Sequence, residues 1–92
     1  PYLKATKAKV ILPPADNPHP AEVCDTIGAG WFWTSKETAA VLKSAEDIVA
    51  MLRLCNERRA NYLLNVGPDK TGLIPAATVE RLRQIGKLRA SN

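Results

Sequence analysis

Histidine and cysteine are too scarce in this chain to furnish a metal centre. His19 is the single histidine, and Cys24 and Cys55 lie far apart without forming a C-x-x-C pair. A zinc site therefore has no ligand set. The spacing leaves a Cys24–Cys55 disulfide open, and nothing in the chain calls for a cofactor. Long apolar runs are also lacking, so no segment is expected to span a membrane. The chain opens Pro1-Tyr2-Leu3-Lys4, with neither an initiator Met nor the apolar core of a secretory leader. A concentrated basic surface is missing too. The net charge is +4, but the bases are scattered as Lys4, Lys7, Lys9, Arg58-Arg59, Arg81, Arg83, Lys87 and Arg89, with acids between them. No stripe of bases and aromatics of the single-strand-binding kind is present. The bases read as solvated helix faces and ends, and no nucleic-acid partner is expected.

What remains is one small domain's worth of chain, 92 residues, with an ordinary apolar share. Residues 8–12, Ala-Lys-Val-Ile-Leu, are β-prone and stop at Pro13-Pro14. Residues 13–21 hold four prolines, which remove backbone donors, so this stretch is expected as a loop. After Gly28-Ala29-Gly30, the run Trp31-Phe32-Trp33-Thr34 predicts a short buried strand. Residues 36–43 fit helix or loop equally. Ser44-Ala45-Glu46-Asp47 is a helix start, with a capping hydroxyl and acids at the positive end of the dipole. Ile48, Leu52 and Cys55 continue one apolar face, and the helix is expected to end near Arg58-Arg59. Residues 62–66, Tyr-Leu-Leu-Asn-Val, read as a strand apolar on both faces. A loop over 67–72 follows, then a helix from about Pro75 with Val79, Leu82 and Ile85 as its stripe. Strands alternating with helices argue for a parallel α/β arrangement.

Few of these residues suggest chemistry on their own. Gly67-x4-Gly72 has the glycine spacing of a phosphate loop, but Leu73-Ile74 stands where the Lys-Ser/Thr is needed. Gly28-Ala29-Gly30 is only a fragment of a dinucleotide fingerprint, and turn formation accounts for both. Glu22 and Asp25 follow the proline-rich loop. Either they face a pocket at a strand mouth, or they are solvated or capping carboxylates. His19, next to Pro18 and Pro20, reads as exposed. Trp31, Phe32 and Trp33 have two readings: a platform on which the C–H face of a sugar stacks, or core packing.

Two motifs carry a resemblance. Pro20-Ala21-Glu22-Val23-Cys24-Asp25-Thr26-Ile27 followed by Gly30-Trp31-Phe32-Trp33 is the first. Asn61 through Ile74, which reads N-x-L-L-N-x-G-P-x-x-x-G-x-I, is the second. Together with the helix ending Leu82-Arg83-Gln84-Ile85-Gly86, they resemble family twenty-nine α-L-fucosidases over residues 18–88. Residues 1–17 resemble it weakly. The resemblance implies α/β architecture: the last strand–helix units of a (β/α)8-type barrel, the C-terminal part of a longer catalytic domain spanning 1–92 here. It implies retaining hydrolysis of terminal α-linked fucose, with a fucosylated glycan as partner. By the same resemblance Glu22 falls at the acid/base position of some members, others placing that role elsewhere. Trp31 and Phe32 fall at aromatic positions that wall the sugar pocket. The family's nucleophilic aspartate and its fucose-binding histidines have no counterpart here. The chain alone is therefore expected to be inactive and to pack against the rest of a barrel or self-associate. The alternative is an independent small α/β module that binds a sugar or a protein without catalysis.

Overall fold

The structure is a computed structural model, and it describes residues 12–34 and 39–91. Four main elements appear in the order strand, helix, strand, helix. They are β1 (Ala21–Thr26), α1 (Ala45–Glu57), β2 (Ala60–Asn65) and α2 (Ala76–Ala90), with a single 3-10 turn at Ala39–Val41 before α1. β1 and β2 pair in parallel, with Ala21 opposite Ala60 and Thr26 opposite Asn65. The expected strand at 8–12 lies outside the described residues except for Leu12, which belongs to no element.

α1 begins as its sequence dictates. The Ser44 hydroxyl accepts a hydrogen bond from the Asp47 N–H at 3.1 Å, and Glu46 and Asp47 occupy the first turn. The helix stops where Arg59 enters the left-handed region at φ 59°. That conformation costs a non-glycine residue about 1–2 kcal/mol. It reverses the chain in one step, and the Arg59 carbonyl then accepts from the Ala21 N–H at 3.2 Å, fixing the start of β1. Asn17 and Arg58 tie down the proline-rich loop: Asn17 Nδ2 donates to the Arg58 carbonyl and Arg58 Nη1 donates to the Pro13 carbonyl, both at 3.1 Å. From Pro13 to Pro20 the loop is tied by these bonds and contains no helix or strand, as the prolines require, and β1 begins at Ala21.

Both helices pack on one face of the sheet. Val23, Met51, Cys55 and Ala60 form one buried cluster, and Ile27, Leu42, Ala45, Ile48, Val49 and Ile85 form the other. Each fully buried aliphatic side chain contributes about 1.5–3 kcal/mol. Cys55 is buried as its helix position implied, whereas Cys24 is exposed on the opposite side of β1, so both thiols are free.

Three expectations need correction. The aromatic run at 31–34 is not a strand: Trp31 and Phe32 lie in bends, and Phe32 is 86% exposed. The strand lies earlier, at Ala21–Thr26, where loop had been expected around Glu22 and Asp25. The stripe of α2 is also rotated. Thr78 and Ile85 are buried, while Leu82 is 36% exposed. Arg81 turns inward instead, and its guanidinium donates to the Leu42 and Lys43 carbonyls. Those carbonyls precede α1, so α2 is docked by a cation as well as by apolar contact.

Candidate active site

The strand period of two sorts the sheet residues into two faces. Val23 and Asp25 point to the helices, along with Ala60, Tyr62 and Leu64. Glu22, Cys24 and Thr26 share the other face with Asn61, Leu63 and Asn65. That second face is open over much of its length: Glu22 and Cys24 are exposed and Leu63 is 50% exposed. Thr26 is the exception at 2%, because the loop that follows β1 folds back over it.

That returning loop is the aromatic one. Thr26 Oγ1 donates to the Gly30 carbonyl at 2.9 Å. Asn65 Nδ2 donates to the Trp31 carbonyl at 2.8 Å and to Thr26 Oγ1 at 3.2 Å. The Ile27 N–H donates to the Asn65 carbonyl at 3.0 Å. These bonds engage the Gly30 and Trp31 carbonyls, the latter a group that a strand over 31–34 would have needed for a ladder. The loop after β2 lies against it: a Cβ added to Gly67 would sit 2.9 Å from the Trp33 backbone nitrogen. Only glycine allows that approach. Asp69 closes the second loop by accepting from the Thr71 N–H, the Thr71 hydroxyl and the Leu73 N–H. The Thr71 hydroxyl first, then the backbone donors, hold its carboxyl below the usual range. The two loops enclose a cleft of about 480 Å³ lined by Trp31, Phe32, Trp33, Asn65, Pro68 and Lys70 among others. It lies at the C-terminal ends of both parallel strands, where α/β folds bind ligands.

Trp31 and Phe32 thus meet at one cleft, but Glu22 is not brought to it. Its carboxylate accepts from Asn61 Nδ2 at 3.1 Å and lies 3.9 Å from the Cys24 thiol. Glu22 lies four positions before Thr26 on extended chain, roughly 13 Å along the strand. Asp25 takes a role that sequence reasoning missed. It is buried on the helix side, accepting from the Tyr62 hydroxyl at 2.7 Å and its own neighbour's Thr26 N–H at 2.8 Å. Lys43 Nζ stands 3.6 Å away and also donates to the Thr26 and Gly28 carbonyls. The ammonium therefore links the buried carboxylate to the base of the aromatic loop. His19 is exposed, as expected. No cluster of three or more metal-ligating side chains occurs among the described residues.

Comparison with known proteins shows the family. The sequence profile of the family described as Alpha-L-fucosidase matches residues 5–92. The chain belongs to the α-L-fucosidase family. Alpha-L-fucosidase of Dictyostelium discoideum is 35% identical over 74 residues, 80% of this chain and 16% of that protein. Tissue alpha-L-fucosidase of Mus musculus is 34% identical over 70 residues, again 16% of its length. The chain thus spans about a sixth of these relatives. Among solved structures, alpha-L-fucosidase isoenzyme 1 from Paenibacillus thiaminolyticus superposes with a TM-score of 0.76 at 30% identity, covering 89% of this chain and 20% of its own. The fucosidase AlfC from Lactobacillus casei, solved in complex with its alpha-L-fucose product, gives 0.70 at 27% identity over 76% of this chain and 21% of its own. The two parallel strands and two helices therefore resemble a fragment of a fucosidase domain.

Burial around Asp25 has a consequence at high pH. Burial, then the hydrogen bond to Asp25, pushes the Tyr62 phenol far above its ordinary 10.0. A group raised on folding stabilises the fold fully below its unfolded value and loses that contribution as pH rises. The urea midpoint should therefore fall as pH rises above about 10. Tyr62→Phe should show a shallower fall over the same range, and parallel curves for the two proteins would refute this.

Proposed function

We propose that this chain is part of a retaining α-L-fucosidase that removes terminal α-linked fucose from glycans. It would supply the last strand–helix units of a (β/α)8-type barrel, residues 1–92 lying in the C-terminal part of the catalytic domain. The observation that carries the reading is the aromatic cleft at the C-terminal strand ends of a chain belonging to this family. Barrel enzymes work at that end of their strands. Trp31 and Phe32 would wall the sugar, stacking on its apolar face.

A retaining glycosidase sets two carboxyl groups about 5–5.5 Å apart across the scissile bond. Glu22 is the proposed acid/base, carried by the resemblance. Its place on β1 sets a condition on that role. The leaving-group oxygen must reach down the open sheet face, past Cys24 and Leu63, to come within hydrogen-bond range. The nucleophile has no counterpart among these residues. The open face and the outer edges of β1 and β2, which pair with no further strand among the described residues, favour association, either with the rest of the barrel or with a second copy.

The test takes the purified 92 residues through size exclusion with light scattering, then through a chromogenic α-L-fucoside assay. Self-association without turnover is expected, with turnover appearing only in a longer protein that also carries a nucleophilic aspartate. A cooperative monomer that binds L-fucose without hydrolysing fucosides in any longer context would favour a binding module instead.

A further inference from the structure

We propose that Asn65 is a positioning residue that sets the sugar-facing wall. The proposal rests on the reading of Trp31 and Phe32 as that wall. One primary amide at the end of β2 ties the end of β1 to the aromatic loop: its Nδ2 donates to the Trp31 carbonyl at 2.8 Å and to Thr26 Oγ1 at 3.2 Å. Its backbone carbonyl accepts from the Ile27 N–H at 3.0 Å, one residue beyond β1. Thr26 Oγ1 reaches on to the Gly30 carbonyl at 2.9 Å. The loop from Ile27 to Trp31 is therefore gripped at its start by the Asn65 backbone carbonyl and at its end by the Thr26 and Asn65 side chains.

Neither ring of the wall belongs to a buried apolar cluster among the described residues. Trp31 is 47% exposed and Phe32 86% exposed, so neither ring is anchored in the core. A ring that must stack on a sugar without burying itself needs its backbone fixed. A fixed loop has less ordering entropy to lose when ligand binds. Asn65 is suited to the task because a short side-chain amide carries two donors. An aspartate of the same shape carries none when ionised.

Trp31 and Trp33 are the two tryptophans of the sequence, so indole signals report on this loop alone. Asn65→Asp and Asn65→Ala should raise acrylamide quenching about twofold and weaken the near-ultraviolet circular dichroism, with the far-ultraviolet spectrum unchanged. Thr26→Ser, which keeps the hydroxyl, should retain wild-type signals. L-fucose titrated against indole fluorescence should bind the Asn65 variants about tenfold more weakly. A tenfold change corresponds to about 1.4 kcal/mol, the scale of one or two lost hydrogen bonds. Unchanged quenching in both Asn65 variants overturns the proposal. So does a loosened loop that binds fucose with wild-type affinity. A wild-type chain blind to L-fucose removes the sugar wall and the affinity consequence together, while the quenching comparison still decides whether Asn65 fixes the loop.

Discussion

Asp25→Ala is expected to lower the unfolding free energy by about 3–5 kcal/mol, the usual result of removing one partner from a buried ion pair. The side chain of Asp25 is wholly buried and that of Lys43 is 14% exposed. Alanine leaves the Tyr62 hydroxyl without its acceptor and the Lys43 ammonium with only carbonyl oxygens. Small proteins are stable by about 5–15 kcal/mol in all, so the loss is a large share of the total. Two further variants separate the contributions. Tyr62→Phe removes one hydrogen bond along with the polar group that needed it, and should cost about 0.5–1.5 kcal/mol. Asp25→Asn retains an acceptor for Tyr62 but not the charge facing Lys43, and should fall between the two. Urea unfolding of the three variants checks the order. An Asp25→Ala protein within about 1 kcal/mol of wild type would show that the carboxylate is not paired in solution.

The missed role of Asp25 illustrates what was legible in the sequence. α1 was, because Ser44, the acids behind it and the spacing of Ile48 and Cys55 are local signals. β2 was, because Leu63 and Leu64 sit in an apolar run bounded by the Gly67-Pro68 turn. β1 was not. Its Ala-Glu-Val-Cys-Asp-Thr sequence alternates, but a buried carboxylate breaks the apolar side of the alternation. The acceptors and donors that make Asp25 tolerable come from Tyr62 and Lys43, far along the chain, and no local pattern announces them. The aromatic run failed for the opposite reason. Three consecutive rings have high strand propensity, yet Asn65 and Thr26 take the Trp31 and Gly30 carbonyls at the start of the run. Tertiary hydrogen bonding outweighs propensity there. On α2 the apolar spacing of Val79 and Leu82 pointed to one face, while the carbonyls ahead of α1 drew Arg81 inward and set another. At the site, Trp31 and Phe32 line one cleft with Asn65, Pro68 and Lys70, a proximity that depends on the fold and not on local spacing. What spacing could not convey was the depth of Glu22 on its strand.

That depth makes Glu22→Ala the most informative substitution in an active protein containing this segment. General acid–base assistance is worth about 10²–10⁴-fold. If Glu22 protonates the leaving-group oxygen, the loss should be of that size for fucosides with poor leaving groups and small for activated aryl fucosides, which depart without a proton. Azide should restore part of the rate by attacking the glycosyl-enzyme without needing a base. Glu22→Gln should resemble Ala, since it keeps the hydrogen bond from Asn61 but cannot cycle a proton. The opposing argument is geometric. Glu22 lies roughly 13 Å down the strand from Thr26, below Cys24 and Leu63 on the same face. A carboxylate that only orders Asn61 would give losses equal for good and poor leaving groups, no response to azide, and recovery in Glu22→Gln. That pattern would pass the acid role to a carboxyl outside these residues and leave Glu22 as a sheet partner. The leaving-group dependence therefore decides the role, because it reads proton transfer directly and a purely structural defect leaves it flat.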